Sequence, residues 1–480
     1  MTVDAIPFDR YLPYDELNDA LNAIANEAPN LVKLVEIGKS FEGRSVLAAI
    51  VTNFETGPDT DKPAFICDGN IHATEVSASS ACLYLLKKLI TEYQKSSEVT
   101  RALDTRAFYI IPRLNPDGAE MYFNRPQKFI RSSVRPYPYD EEDIEGLEVC
   151  DINGDDKVLT MRIKDPNGPH KCAKEDPRIM IPRDPIEVGG EYYRLIPEGL
   201  FENYDGQSIR MKRRKERLDM NRNFPAHWRQ EYEQRGAGPY PTSEPEVRNL
   251  VQFISEHPNI TGAMTFHTFS GVLLRPCSTR SDDSLPAEDV KIFKKIGDTG
   301  SRLTGYPNVS VYHDFRYHPN EVITGTYDDW MYEHQGRFAW TIEIWSPQRQ
   351  AGITEGFAPG GSQGSYKFIS WEENHSIEDD LKMLAWSDTI LAGKGFQNWK
   401  TFNHPQLGEV EIGGWDSQYA FRNPPPHLLE KEIAPMADWA IWHCLISPKL
   451  EVLSTTMTPL SNEHYRLSIT VINTGWLPTR

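Results

Sequence analysis

Four short apolar runs, at residues 63–67, 106–114, 260–267 and 338–345, are separated by stretches with helical spacing. Runs of this length with little polar alternation read as strands buried on both faces. Residues 14–27 place Leu17, Leu21, Ile24 and Ala25 on one helical face. Residues 77–93 and 376–391 also read as helices. A further helix at 244–256 is entered from Ser-Glu-Pro-Glu, with Ser243 as its expected N-cap, Glu246 closing a capping box and Pro245 inside the first turn. Strands are expected at 31–37 and 45–52. Strands alternating with helices predict an α/β fold with helices on both faces of a central sheet. Open sheets of this kind hold their sites at strand ends.

Composition removes several function classes. At 480 residues with 39% hydrophobic and 25% charged residues, the chain has ordinary globular usage and enough apolar content for a large core. A net charge of -18 argues against non-specific nucleic-acid binding and suits attraction of cationic ligands. No apolar run approaches the ~20 residues of a membrane span. The first residues carry no basic stretch followed by an apolar one, so a cytoplasmic protein or a processed secreted form is expected. The six cysteines form no C-x-x-C; Cys150 and Cys172 bracket a loop and could pair.

The chemistry gathers at the ends of the apolar runs. His72-Ala73-Thr74-Glu75 follows the first run in a Gly-Asn-Ile turn, and His267 closes the third in Thr-Phe-His-Thr-Phe-Ser-Gly. A hydrolytic zinc site needs two or three imidazoles, often a carboxylate, and an open position. His72, Glu75 and His267 supply that set. Glu343, in Trp-Thr-Ile-Glu-Ile-Trp, is a candidate general base in a partly desolvated run. An H-x-x-E alone is a weak signal. It gains weight from the motifs downstream of it, which come in the order Asn115-Pro116-Asp117-Gly118, Arg131, Asp219-Met220-Asn221-Arg222-Asn223-Phe224-Pro225, His267, Asp329-Trp330 and Glu343.

From about residue 11 to about 388, that series resembles the zinc carboxypeptidases of the funnelin (M14, carboxypeptidase A/B) type. The resemblance implies a mixed central sheet, one zinc on His72, Glu75 and His267, and Glu343 as the base that takes a proton from water and returns it to the leaving amine. It implies that Arg131 stabilises the oxyanion, with Arg135 as a rival. Asn221 and Arg222 match residues that grip the terminal carboxylate of a substrate, and Asp219 matches a carboxylate that orients the first histidine. Asp328 falls at the floor of the specificity pocket, where an acid implies a basic side chain. One departure is Glu321, which stands where the family has a tyrosine; Tyr317 and Tyr327 are possible stand-ins, but neither aligns. The expected activity is release of C-terminal residues from peptides or proteins. The alternatives are a relative that cleaves modified or cell-wall peptides, and a silent peptide-binding module.

Three segments fall outside this pattern. An insertion spans about 135–215. Within it Asp151, Asn153 and Asp155 resemble the start of a calcium loop, but Asp156 replaces the sixth-position glycine and Arg162 the twelfth-position glutamate, so either a partial calcium site or a solvated acidic turn is expected. The basic run 210–217 reads as a solvated loop or an ion-paired rim. Beyond residue 392, a helix is expected near 426–446. Residues 448–480 then alternate like the opening strands of a β-sandwich, set apart from a catalytic domain at 1–447. Two or three strands cannot close a sandwich, so a fragment or a completing partner sheet is expected.

Overall fold

The computed structural model describes residues 2–138, 145–318, 320–354 and 368–479. Its centre is an eight-stranded sheet in the order Val32–Lys39, Ser45–Val51, Ala107–Ile111, Ala64–Gly69, Ile260–Thr268, Phe338–Ile344, Val272–Arg275 and Asn308–Ser310. The four apolar runs are the four inner strands, and they run parallel. Antiparallel partners flank them, so the sheet is mixed.

Both faces are buried, with the period of two that a strand imposes. On Ala107–Ile111, Phe108 and Ile110 join one core while Ala107, Tyr109 and Ile111 join another. The helices Tyr14–Glu27, Val76–Glu92 and Pro426–Leu445 supply the first core, and Pro245–Glu256 and Tyr327–Glu333 the second. The expected capping box at 243–246 does not form. The Ser243 hydroxyl accepts from Asn223 Nδ2 at 3.0 Å and donates to Glu244. Glu246 reaches across instead to the Phe41 N–H at 2.9 Å.

The segment expected to be an insertion contributes four strands to a second sheet. Thr160–Lys164, Tyr193–Pro197, His170–Cys172 and Met180–Pro182 join the hairpin Phe396–His404 and Gly408–Trp415 in one six-stranded sheet. The seam is the antiparallel pairing of Met161 with Ile412 and its neighbours. Nothing in the local sequence announces it, because its two halves lie about 250 positions apart. The basic run is an ion-paired rim: Lys212 meets Glu148 at 2.9 Å and Glu202 at 3.0 Å. Cys150 and Cys172 do not pair, and all six thiols are free.

Leu450–Ser461 and His464–Asn473 form a two-stranded hairpin with both faces exposed. Among the described residues no helix is long and apolar enough to cross a membrane.

Candidate active site

The site lies at the carboxyl ends of the two central strands. Ala64–Gly69 ends in a turn, residues 70–75, whose backbone is held by side chains. Asn70 Nδ2 donates to the His72 carbonyl at 2.7 Å. Asn115 Nδ2 donates to the Ile71 and Ser132 carbonyls, at 3.2 and 2.7 Å. Asn115 also caps the Pro116–Phe123 helix through the Gly118 N–H, so the Asn-Pro-Asp-Gly motif is scaffolding for the turn. Glu75 stands at the N-cap of Val76–Glu92 but does not cap it; its carboxylate faces the imidazoles.

His267 enters from the neighbouring strand, in register with Glu343. Parallel pairing therefore sets the second histidine and the candidate base side by side. His72 Nδ1 lies 3.0 Å from His267 Nδ1 and 3.0 Å from Glu75 Oε1, and His267 Nδ1 lies 3.2 Å from Glu75 Oε2. His72 Nε2 sits 3.0 Å from Asp219 Oδ1. A carboxylate there holds the proton on Nε2 and leaves a lone pair on Nδ1. Bonds of ~2.0–2.1 Å to a tetrahedral zinc would space the donors by about 3.4 Å, close to what the chain presents. The donor set fits a divalent cation, and among the described residues it is the only such convergence of His, Cys, Asp and Glu ligand atoms.

The calcium expectation at Asp151, Asn153 and Asp155 finds no such support, since the described His, Cys, Asp and Glu ligand atoms converge only at His72, Glu75 and His267. Asp151 accepts the N–H groups of Asn153, Gly154 and Asp156 at 3.1, 2.7 and 2.8 Å, and Asp155 accepts that of Lys157 at 3.0 Å. The carboxylates shape their own exposed loop, and buried Glu198 braces it through the Ile152 and Leu159 N–H groups.

Charged groups surround the cluster. Arg131 Nε donates to Asp219 Oδ2 at 2.9 Å, and its Nη1 lies 3.3 Å from Glu75 Oε1. Burial alone would raise the Asp219 carboxyl, but Arg131, Arg222 and His72 outweigh it and hold it well below the usual carboxylate range. Arg135 pairs with buried Glu244 and lines neither space around the imidazoles. Burial pushes the Glu343 carboxyl up to about 7 against the pull of His267, and the Glu75 charge adds to the rise.

Arg222 and Asn221 sit on a short turn at Met220–Arg222 and face the cleft. The Asn221 amide oxygen accepts the Tyr327 N–H at 2.9 Å. Arg222 is braced by the Asn221 carbonyl at 2.7 Å. Gly325 makes this packing possible: its φ is +67°, and a Cβ there would stand 2.3 Å from the Arg222 carbonyl oxygen. Gly325→Ala is expected to displace the Arg222 turn and to lower thermal stability by roughly 1–3 kcal/mol. Calorimetry checks this; an unchanged Tm would show that the turn adapts.

Asp328 is buried beside Thr326, and burial pushes its carboxyl upward. It lines a chamber with Ser278, Asn221 and Thr341. Among the described residues no basic side chain pairs with it. Tyr327 is buried next to Asp68 and does not reach the cleft. Tyr317 does: it lines the same space as Arg131, Arg222 and Glu343. Glu321 is exposed and does not line that space. No sequence signal points to Arg422. Its guanidinium arrives from the far end of the chain to stand 3.8 Å from Glu75 Oε1 and 3.4 Å from the Thr268 carbonyl.

Comparison with known proteins places the chain. The family model described as zinc carboxypeptidase matches residues 17–148 and 200–368. Mouse carboxypeptidase A1 is 22% identical over 350 residues, 72% of this chain and 64% of that protein. The chain thus spans just under two thirds of that relative's length. The Saccharomyces cerevisiae protein named inactive metallocarboxypeptidase ECM14 is 32% identical over 112 residues, 23% of this chain and 26% of its own. Among solved structures, thrombin activatable fibrinolysis inhibitor gives a TM-score of 0.46 at 17% identity, covering 80% of this chain and 75% of that one. The family match skips residues 149–199, at the heart of the inserted sheet, and stops at 368. With two matched blocks that together take in most of its residues and every donor of the cluster, the chain belongs to the zinc carboxypeptidase family.

Proposed function

We propose that the protein is a zinc metallocarboxypeptidase that removes C-terminal residues from peptides. The observation that carries this is the convergence of His72 Nδ1, His267 Nδ1 and the Glu75 carboxylate beside Glu343. Zinc held there would supply Lewis-acid polarisation of a carbonyl and acidification of water. Glu343 takes a proton from the attacking water and delivers it to the departing amine. Arg131, the exposed cation nearest the cluster, meets the charge that develops on the carbonyl oxygen. Arg222 and Asn221 hold the substrate's terminal carboxylate, and Tyr317 closes the space beside them. The test is release of C-terminal residues by the zinc-loaded protein, with its loss on chelation and return on adding zinc. Glu343 and all three donors are present, which speaks against the silent reading that the yeast relative's name raises.

Two outcomes probe the binding groups. Arg222→Ala is expected to raise KM for free-carboxylate peptides by about 10- to 100-fold, the loss of a charge-assisted pair, and to leave amidated peptides little affected. Equal effects on both would remove Arg222 from that role. Asp328 is expected to favour Arg or Lys at the C-terminus, since an apolar side chain would leave its carboxylate buried and unpaired. The chamber beside it holds only about 40 Å³, so a basic side chain must displace part of its wall. The measurement is kcat/KM for peptides ending in Arg or Leu, on wild type and Asp328→Ala. An Arg preference that survives the substitution would place the selectivity elsewhere.

A further inference from the structure

Largely outside the family-matched blocks lies a cavity of about 600 Å³, within the range of ligand sites. It is walled by three separate additions to the matched core. Met180 comes from the inserted sheet, Trp399 and Trp415 from the hairpin that pairs with it, and Trp371, Leu384 and Phe421 from segments beyond residue 368. The seam between Thr160–Lys164 and Gly408–Trp415 brings the first two together.

Its position relative to the cleft is fixed by shared walls. A cleft of about 340 Å³ contains Glu75, Arg222 and Glu343, and it shares Phe269, Glu372 and Arg422 with the larger cavity. On its other side, the cleft shares Arg131, Arg222, Tyr317 and Glu343 with the Asp328 chamber. The three spaces therefore run in series. A peptide whose carboxylate is held at Arg222, with its last side chain toward Asp328, has its scissile bond beside Glu343. The chain before that bond then leaves past Phe269 and Arg422 into the larger cavity.

The walls state what fits there. Trp415 packs edge-on to Phe421 at 5.2 Å and to Phe396 at 5.3 Å, which gives a fixed aromatic surface. Such surfaces favour aromatic partners in edge or offset contact. Much of the charge in the lining is paired: Arg178 meets Asp176 and Asp388 at 2.8 and 3.0 Å, His375 meets Asp380 at 3.0 Å, and the Arg422 guanidinium lies 5.0 Å over the Phe269 ring. In the lining, the Gln418 Oε1 atom is buried and finds no donor among the described residues.

We propose that this cavity is a specificity subsite for the residues preceding the scissile bond, and that it selects bulky aromatic side chains. The inference rests on the carboxypeptidase reading for the direction of the chain. The test uses blocked tetrapeptides that share their last two residues and carry either Phe or Ala at the first two, alongside a blocked dipeptide too short to reach the cavity. Wild type is expected to favour the Phe peptide by about tenfold in kcat/KM, the scale on which apolar pockets discriminate. Met180→Trp, which fills the cavity, is expected to erase that preference and leave the dipeptide rate unchanged. Trp371→Ala serves if Met180→Trp fails to fold. Equal rates on Phe and Ala peptides in wild type, or a preference untouched by both variants, would overturn the subsite while leaving the carboxypeptidase reading in place. If no peptide is cleaved, that reading falls, and binding to Glu343→Gln decides the subsite alone. Tighter binding of the Phe peptide, lost on adding Met180→Trp, upholds it, and equal binding of both peptides overturns it.

Discussion

Glu343→Gln is expected to retain its metal and its fold while kcat falls by about 10²–10⁴-fold, the usual contribution of a general base. The amide is nearly the same size and keeps the strand pairing with His267, but it cannot accept a proton. The side chain is not a metal donor in this arrangement, since the converging atoms belong to His72, Glu75 and His267. Loss of metal with the substitution would therefore mean that the roles of Glu343 and Glu75 are wrongly divided. The same carboxylate sets a pH limit. It works as a base only when ionised, so kcat/KM is expected to fall as pH drops through its pKa. Burial pushes that pKa up to about 7, and a cation held beside it pulls it down. The acid limb is expected at or below about pH 7, and a limb well above 7 would point to a different group.

The parts of the site that could be read from the sequence are those fixed by local chemistry on regular elements. His72, Glu75, His267 and Glu343 each sit at or near the end of an apolar run, and the sheet does the rest: two central strands pair in parallel and bring residues 267 and 343 together. Helix spans such as Tyr14–Glu27 follow directly from their apolar spacing. What could not be read depends on contacts between distant segments. Ser243 and its neighbours fit a cap motif, yet Asn223, twenty positions away, donates to its hydroxyl. Asp151 and Asp155 have ligand spacing, but the loop's own N–H groups claim their oxygens. Arg422 and the inserted sheet's seam have no local signature at all. Their positions follow only from the fold that joins residues 160–164 to 408–415.

The metal cluster gives the largest expected loss. His72→Ala removes one of three donors, and the metal content of the purified protein is expected to fall to near zero, with activity following it. His267→Ala should do the same, because no other His, Cys, Asp or Glu among the described residues converges on the vacated position. A graded effect is expected one step outward. Asp219 touches His72 at Nε2, not at Nδ1, so Asp219→Asn leaves all three donors in place. It removes the charge that fixes the imidazole tautomer, a change that typically weakens metal binding by about 10–100-fold. Competition with a chelator measures both losses on one scale. The order His72→Ala well below Asp219→Asn, and that below wild type, follows from a site whose donors are Nδ1 atoms oriented from behind. Should Asp219→Asn lose its metal as completely as His72→Ala, Asp219 would be a ligand, and the cation would sit on the Nε2 side of His72.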